Sequence, residues 1–537
     1  MTGKTNEEQQ IKESILKNHT LEGVIMLQKV TFYGIGVIPC IAVFTSGQPH
    51  PKDKLCKFIN FEDDGFKVSP HVGLLETEAA KDKKQHLLAV WFDRIEAENK
   101  FCVKTTVNAQ DEWLHSFYYF NDEIPTDGDF EKTVGDYLSF EFSMIMQGRR
   151  YLFENVDSEK EAEKTDDIKK NFKLSDREWK EFKIGDLFEV TGSVTTKPQN
   201  LIENGFIPRI TCSATNNALD DFYQNKATEK GGVLTVDSAT IGYVSYQSHD
   251  FIATDHVEKI TNKDNSYISR FIGLFEKQCI DKATISKYGY GYKFAQERIK
   301  NQKILLPVSE NGEPDFDFME NYIHELEQEK LSEYKSYAQK QVSELCYQEI
   351  EPLENKEWKD FYINEIFLIK SGKRLTKRDM KMGNRPFIGA SSINNGITNF
   401  VSNINSTLDK NVLGVNYNGS VGECFYHKYD CIFSDDVKRF HLKYESDNQK
   451  LFLFMKTLIL FQKVIFTYGY KFNENRMLQQ KIMLPITPDG KPDYAYMEQY
   501  TKNLMLRKYC EYLDYKFKKS KTDYNFSEPY LLVAEKS

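Results

Sequence analysis

Two stretches of the chain are near copies of each other: YGYKFAQERIKNQKILLPVSENGEPD at 290–315 and YGYKFNENRMLQQKIMLPITPDGKPD at 468–493. The similarity continues toward the N-terminus in three further pairs of segments. These are EWKEFKIGDLFEV (178–190) with EWKDFYINEIFLI (357–369), TNNALDDF (215–222) with INNGITNF (393–400), and VLTVDSATIGYVSY (233–246) with VLGVNYNGSVGECFY (412–426). Because the copies keep a near-constant register over roughly 150 residues, the chain contains one module twice in tandem.

Each copy is predicted to begin as a compact, mostly β module. Short runs of β-branched and aromatic residues alternate with turns such as Gly231–Gly232 and Asn418–Gly419, which is typical of small twisted sheets. After the Pro-Asp pair that ends each quoted stretch, apolar residues fall on three- and four-residue steps. This spacing predicts a helix of about 30 residues in the first copy, spanning about 45 Å, and a similar helix in the second.

Each of these helices is too long and too polar to be buried on one small β module. Its apolar stripe is therefore expected to pair with that of the other copy as an antiparallel coiled coil. The predicted fold class is α+β, with a partial α/β domain before the repeat. The predicted segments are a domain at 1–155, a charged linker at 156–177, a first β module at 178–314 with its helix at 315–350, a second β module at 357–492 with its helix at 493–520, and a tail at 521–537.

The composition narrows the class of protein. A chain of 537 residues with 40% hydrophobic residues is long enough for three or four domains. No apolar run approaches the roughly 20 residues that a bilayer needs, and the polar N-terminus has no signal-peptide core, so a cytoplasmic protein without membrane contacts is expected. The nine cysteines are scattered without a CxxC pair or a His at ligand spacing, which argues against a disulfide framework or a metal site.

The repeated motifs resemble those of one family. A duplicated EWKxFxIxxxF opening, YGYKFxxxR segment, KIxLP strand and (N/D)Gx-Pro-Asp helix start are similar to the specificity subunits of Type I restriction-modification systems and their fused Type IIB/IIG relatives. The resemblance covers roughly residues 175–520. It implies sequence-specific recognition of double-stranded DNA, with one half-site per module and with the long helices docking methyltransferase subunits. Modules at opposite ends of a helical rod would lie somewhat more than one DNA turn apart, about 34–36 Å, so the predicted target is bipartite.

Candidate phosphate contacts come from local clusters of cations, because a formal net charge of −9 does not exclude a basic patch. The second module has a dense cluster in which Asp379 is the one opposing carboxylate, whereas the first has only Lys197 at the equivalent place. The alternative for the cluster is a solvated loop without a ligand. The phosphate candidates are Lys370, Lys373, Arg374, Lys377, Arg378 and Lys381 in the cluster, and Lys287, Lys293, Arg298, Lys471 and Arg476 in and around the YGYKF segments.

Base edges are read by planar side chains that donate and accept hydrogen bonds, and Asn and Arg pair in this way with adenine and guanine. Loops after the first strands of each module carry such residues. The candidates are Arg209, Asn216 and Asn217 in the first module and Arg385, Asn394 and Asn395 in the second. An alternative that the residues support equally is that the two Asn pairs simply form turns.

The first 155 residues are similar to the C-terminal part of adenine-N6 DNA methyltransferases of the same systems. The similarity lies in LEGVIMLQKVTFYGIGVIPCIAVF (21–44), FINFEDDGFKV (58–68) and DEWLHSFYYF (111–120). It implies that Phe32 and Tyr33 are a remnant of the pocket for a flipped adenine; the alternative is packing at a sheet edge. The family's Asn-Pro-Pro-(Tyr/Phe) tetrapeptide does not occur in the sequence. The spacing of its FxGxG-type loop occurs as FYGIG (32–36), but within FYGIGV rather than opening a helix after a strand, so it does not indicate the family's loop. No catalytic residue is therefore predicted, and S-adenosylmethionine is expected on a partner.

The leading hypothesis is a non-catalytic DNA-specificity component that directs adenine methylation, and in one variant cleavage, to a two-part site. Its partners would be double-stranded DNA, a methyltransferase (modification) subunit and, in that variant, a restriction subunit. One alternative is an adenine methyltransferase that becomes active when a partner supplies the missing motifs, and another is a scaffold or DNA mimic. Pro314–Asp315 and Pro492–Asp493 imitate a nuclease motif, but their repeated position predicts helix starts.

Overall fold

The structure is a computed structural model that describes residues 5–32, 39–69, 73–154, 172–239, 242–284, 287–288, 293–467 and 470–517. The chain divides into two compact units, one formed by residues 1–155 with 335–537 and the other by residues 156–334. Strands form several small sheets beside separate helices, so the predicted α+β class is confirmed. Every cysteine is a free thiol. Across the described residues, no helix has the length and apolarity needed to span a bilayer.

The N-terminal segment of the first unit contains a four-stranded mixed sheet in the order β2-β1-β3-β6, in which β1 and β3 are parallel. Apolar residues of the first helix pack with Leu21, Phe58 and Trp113 in one core cluster. The strands are β1 (His19–Leu27), β2 (Cys40–Ser46), β3 (Cys56–Phe61), β4 (Phe66–Ser69), β5 (Gly73–Glu76) and β6 (Cys102–Thr105), and the helices are α1 (Asn6–Asn18), α2 (Ala79–Trp91), α3 (His115–Tyr118) and α4 (Asp127–Met146).

The second unit contains the first β module, called module 1 below (178–314). It has a four-stranded antiparallel sheet β12-β11-β14-β8, a three-stranded sheet β10-β9-β13 and a ribbon β15-β7. Its strands are β7 (Glu178–Lys183), β8 (Phe188–Gly192), β9 (Ile207–Ile210), β10 (Leu219–Tyr223), β11 (Val233–Asp237), β12 (Val244–Gln247), β13 (Ile252–Ala253), β14 (Val257–Asn262) and β15 (Lys303–Val308), and its helices are α5 (Ile184–Leu187), α6 (Arg270–Thr284) and α7 (Gln296–Asn301). Strand β11 is buried along its whole length and forms the centre of the core.

The second β module, called module 2 below (357–492), lies in the first unit and repeats this topology. Its sheets are β17-β23-β20-β21, β19-β18-β22 and the ribbon β16-β24. After the long helix α8 described next, the strands are β16 (Trp358–Tyr362), β17 (Phe367–Ser371), β18 (Met382–Ile388), β19 (Ile397–Val401), β20 (Val412–Asn416), β21 (Cys424–His427), β22 (Ile432–Phe433), β23 (Val437–Leu442) and β24 (Lys481–Pro485), and the helices are α9 (Ile363–Ile366), α10 (Gln449–Phe461) and α11 (Glu474–Gln479). The repeated strand order agrees with the repeat found in the sequence.

A long helix follows each module: α8 (Phe316–Glu344) and α12 (Tyr494–Phe517). The aspartate of each Pro-Asp pair caps its helix, since Asp315 accepts from the amide of Phe318 and Asp493 from that of Tyr496, both at 3.0 Å. These carboxylates also pair with Arg177 and Lys356. The interpretation of the pairs as helix starts is confirmed, whereas the pairing of the two helices as a coiled coil stays a prediction.

Within the first unit, α4 meets α12 and the C-terminal part of α8 at Glu141, a carboxyl of α4 with 1% exposure. It accepts a hydrogen bond of 2.6 Å from the hydroxyl of Tyr337, near the C-terminal end of α8, and another from the hydroxyl of Tyr509 on α12. Burial raises the pKa of this carboxyl. The N-terminal segment is thereby joined to both long helices through a buried polar contact, which is costly to disrupt.

Candidate nucleic-acid interface

The basic cluster predicted in module 2 begins at Lys370 in β17 and continues through the connection to β18, and this segment (370–381) is called the basic loop below. The amide of Lys373 donates to the carbonyl of Phe433 at 3.0 Å. The carboxylate of Asp379 accepts from the hydroxyl of Thr376 at 2.5 Å, and the carbonyl of Asp379 accepts from the side chain of Asn403 at 3.0 Å. Asp379, the one acid of the cluster, therefore stabilises the conformation of the loop through these hydrogen bonds. The cations of the loop are attached to a backbone that is held in place.

The cations of this loop are exposed and have no carboxylate within ion-pair distance among the described residues. Other cations of the same module behave differently: Lys438 pairs with Glu474 and Arg439 with Asp409. A cluster of unpaired cations repels itself and attracts polyanions, and phosphate contact relieves that repulsion. The exposed members are Lys370, Lys373, Arg374, Lys377, Arg378 and Lys381.

Module 1 has no equivalent patch in the described part of the chain. At the corresponding place Lys197 is exposed but stands alone. Three of its other cations form ion pairs: Lys230 with Asp250, Lys259 with Glu229, and Arg209 with Asp220 at 2.7 Å. The two modules therefore differ in the strength with which they can hold a phosphate backbone.

The two Asn pairs lie in matching turns, as the alternative interpretation predicted. Asn217 and Asn395 have φ of 51° and 50°, a left-handed conformation that Asn tolerates. Their side chains donate to the carbonyls of Tyr246 and Tyr426 at 2.8 and 2.9 Å, and Asn395 is only 6% exposed. These two residues hold the turns in place. Their neighbours Asn216 and Asn394 are exposed at the tips and remain the candidates for base edges.

The two candidate arginines for base reading are partly committed to the fold. Arg209 is 9% exposed and is bound to Asp220, so it is poorly placed to reach a base. Arg385 donates to the carbonyl of Asn403 at 2.9 Å. It lines a cleft of about 410 Å³ together with Tyr151, Lys410 and Lys428, and these two lysines were missed because they are isolated in the sequence.

The arginines of the YGYKF segments occupy equivalent positions but different surroundings. Arg298 and Arg476 donate to the carbonyls of Lys293 and Lys471, both at 2.6 Å. Arg298 is exposed, whereas Arg476 is 5% exposed because Glu112 of the N-terminal segment binds its guanidinium at 2.7 and 3.1 Å. The prediction that Arg476 contacts DNA therefore needs correction: its charge is neutralised inside the protein.

The last three candidates are Lys287, Phe32 and Tyr33. Lys287 is exposed and donates to Gln302 at 2.7 Å. Phe32 is 55% exposed, and Tyr33 lies outside the described residues. The exposure of Phe32 favours neither of the two alternatives, a remnant of the base pocket or packing at a sheet edge.

Sheet β17-β23 behind the basic loop is stabilised by charged groups. His441 lies between the carboxylates of Asp409 at 3.0 Å and Asp447 at 2.7 Å. Hydrogen bonds to these two groups raise its pKa to about 9, and Arg439 binds Asp409 as well. The imidazolium is therefore charged at neutral pH and holds the strand that precedes α10.

A further contact that the sequence did not reveal joins α4 to module 2. Phe130 of α4 stacks on Phe454 of α10 at 4.4 Å between ring centroids, and the hydroxyl of Thr457 donates to that of Thr133 at 2.9 Å. The contacting residues of α4 and α10 are more than 300 positions apart in the chain. The one sequence signal for this contact is the set of aromatic residues that modules 1 and 2 share.

The family described as "Type I restriction modification DNA specificity domain" matches residues 176–335 and 355–509, and the family described as "N-6 DNA Methylase" matches residues 2–122. The chain is 43% identical over 326 residues to "Type II restriction enzyme BgcI specificity subunit S.BcgI" of Heyndrickxia coagulans, covering 59% of this chain and 92% of that protein. It is 51% identical over 157 residues to "Type II restriction enzyme and methyltransferase RM.BcgI" of the same organism, covering 29% of this chain and 25% of that protein.

A solved structure, the Type I restriction-modification S subunit from M. genitalium, is 15% identical, with 64% of this chain and 94% of that chain covered and a TM-score of 0.37. A similarity at that level supports no argument about geometry. The two matched specificity domains together cover more than half of the chain and coincide with the two copies of the sequence repeat. The chain belongs to the restriction-modification specificity subunits, whose function is DNA sequence recognition, and it carries an adenine-N6-methyltransferase fragment before its two specificity domains.

Proposed function

We propose that this specificity subunit directs adenine-N6 methylation to a bipartite site in double-stranded DNA, with each β module binding one half-site. The observation that carries the proposal is the unpaired basic loop of module 2, from Lys370 to Lys381, on an ordered backbone. Phosphate contacts fix the register of a protein on DNA, while side chains at turn tips read base edges. The exposed Asn216 and Asn394 occupy such tips in the two modules.

The two modules are proposed to contribute unequally. Module 2 offers the six exposed cations of its loop, and module 1 offers Lys197 with Lys287, Lys293 and Arg298. In this arrangement module 2 provides most of the affinity that is independent of sequence, and module 1 adds discrimination at the second half-site. The predicted segment boundaries and the antiparallel pairing of α8 with α12 are part of the proposal, because they set the length of the unread spacer.

Methyl transfer is proposed to come from a methyltransferase partner. The N-terminal segment does not fit S-adenosylmethionine: the sequence lacks the Asn-Pro-Pro tetrapeptide, and its one FxGxG string, FYGIG at 32–36, lies within an apolar stretch of sequence rather than after a strand and before a helix pattern. Two of its described glycines serve packing, since a Cβ on Gly23 would lie 2.3 Å from the carbonyl oxygen of Lys57 in the adjacent strand and a Cβ on Gly65 would lie against Ala80. Gly23 and Gly65 therefore allow close packing of the backbone.

In one variant the proposal adds a nuclease-bearing partner that cleaves at the same sites. It places the complex in the cytoplasm without a membrane partner. Methylome sequencing of a host with and without the gene tests whether the subunit directs adenine-N6 methylation to a bipartite site. The expected result is adenine-N6 methylation at one two-part motif that depends on the gene. An unchanged methylome, or methylation at a single continuous motif, would refute it. A purified-chain assay with labelled S-adenosylmethionine tests the need for a partner, because methyl transfer by the chain alone would contradict it.

A further inference from the structure

The same three aromatic residues recur at the junction of ribbon, helix and long helix in both modules. In module 2, Trp358 stacks on Phe454 at 6.3 Å and 16°, and Phe454 meets Tyr500 edge-on at 5.7 Å and 87°. In module 1, Trp179 stacks on Phe275 at 6.0 Å and 20°, and Phe275 meets Tyr322 edge-on at 5.9 Å and 87°. The repeat has therefore preserved the geometry of this site as well as its residue types.

In module 2 the aromatic site is filled by the chain's own helix α4. Phe130 stacks on Phe454 at 4.4 Å and meets Tyr500 edge-on at 5.3 Å, and it is only 2% exposed. The hydroxyl of Tyr500 donates to the carboxylate of Asp127 at the first turn of α4. One aromatic ring and one carboxylate of α4 thus satisfy the apolar and the polar parts of the site.

In module 1 the equivalent site is an open groove of about 1000 Å³. Its lining includes the trio Trp179, Phe275 and Tyr322 together with Leu305, Ile323 and Leu326. The exposure of equivalent residues differs accordingly. Tyr500, Thr501 and Leu504 are 8%, 1% and 7% exposed in module 2, whereas Tyr322, Ile323 and Leu326 are only half-buried in module 1.

The geometry points to a half-filled pair of docking grooves: α4 occupies the groove of module 2 within the chain, and the groove of module 1 takes one further helix of the α4 type from a separate adenine-N6-methyltransferase chain. This inference rests on the proposed function, which supplies that partner. Aromatic rings that pack on aromatic rings and exclude water carry most of the energy of such a contact. The consequence is an asymmetric subunit that recruits a single methyltransferase at this type of groove.

The flanks of the two grooves differ in charge. Arg507 and Lys508 both bind Glu131 of α4 in module 2, whereas Glu329 and Lys330 stand at these two positions in module 1. The net charge that faces an incoming helix is thus positive in module 2 and near zero in module 1. A helix that fits module 1 is therefore expected to carry a neutral or basic residue where α4 has Glu131. The probe for the groove is accordingly a synthetic peptide of residues 124–148 with Glu131→Gln.

The test titrates the full chain with this labelled peptide and measures fluorescence anisotropy. The expected result is saturation at one peptide per chain, with binding about 10- to 100-fold weaker when the peptide also carries Phe130→Ala. On the chain, Leu305→Asp places a charge on a 53% exposed lining residue and is expected to weaken binding by at least about tenfold. Leu368→Asp, at a 49% exposed position in module 2, is the matched control and should leave binding unchanged.

Absence of peptide binding, saturation at two peptides per chain, or equal binding to Leu305→Asp and Leu368→Asp would overturn the inference. Self-association of the chain that Leu305→Asp abolishes would overturn it too, because the occupant would then be a second copy. Binding of the same preparations to duplex DNA distinguishes failure of the groove inference from failure of the proposed function. Loss of peptide binding with intact DNA binding refutes the groove alone, whereas failure of the unmodified chain to bind DNA refutes the proposed function.

Discussion

Replacing Lys373, Arg374, Lys377 and Arg378 with Ala tests the basic loop of module 2. These side chains are exposed and form no ion pair among the described residues, so their removal should change the free energy of unfolding by no more than about 0.5 kcal/mol each. Each phosphate contact contributes about 0.9 to the slope of log affinity against log salt concentration. If all four contact phosphates, the slope for random duplex DNA flattens by about 3.6.

The assay is fluorescence anisotropy with a labelled random duplex between about 50 and 200 mM salt, the range over which such contacts dominate affinity. A control variant replaces Lys17, Lys52, Lys81 and Lys84 of the N-terminal segment, which are exposed and likewise without an ion pair. It has the same change in net charge, so it separates local contacts from general repulsion. An unchanged slope in the loop variant, or equal flattening in the control, would remove the loop from the interface.

Three further predictions concern the fold around the interface. Burial raises the pKa of Glu276 to about 8, so the unfolded chain releases this proton at lower pH than the folded chain. The free energy of unfolding should therefore fall by up to about 4 kcal/mol as pH rises from about 4.5 to 8. In urea denaturation, Glu276→Gln should abolish that trend. Phe130→Ala removes a fully packed ring and should destabilise the first unit by about 3–5 kcal/mol; a loss below about 1 kcal/mol in the same measurement would contradict the tight packing of α4. Arg476→Ala leaves Glu112 buried without its partner and should cost about 3–5 kcal/mol while the salt slope of DNA binding stays unchanged; a flatter slope without loss of stability would restore Arg476 to the DNA interface.

The repeat and its helices were accessible from the sequence because they depend on local patterns. A helix start at a Pro-Asp pair follows from capping chemistry, and α8 does begin at Phe316, directly after Asp315. The strand order is the same in both modules, as the copied segments predict. The exposed loop of module 2 was likewise visible, since six cations within a dozen positions leave few ways to neutralise them locally.

Other features were beyond the sequence because they depend on distant partners. Glu112 and Arg476 are 364 positions apart, so no local pattern could show that this arginine is buried. Asn395 looked as suitable for a base edge as Asn394, and only the burial of Asn395 and its bond to the carbonyl of Tyr426 separate them. The N-terminal segment clusters with module 2 rather than with module 1, because α4 fills one of two nearly identical aromatic sites.

Selection of bound duplexes from a random-sequence library, followed by sequencing, tests directly whether two modules read one bipartite site. The purified chain is expected to enrich two short motifs at one fixed separation, with random bases between them. Substitution of Asn394 by Ala should relax only the half-site that module 2 reads. A single uninterrupted motif, two motifs at variable separation, or no enrichment over the input library would contradict recognition by two separate modules.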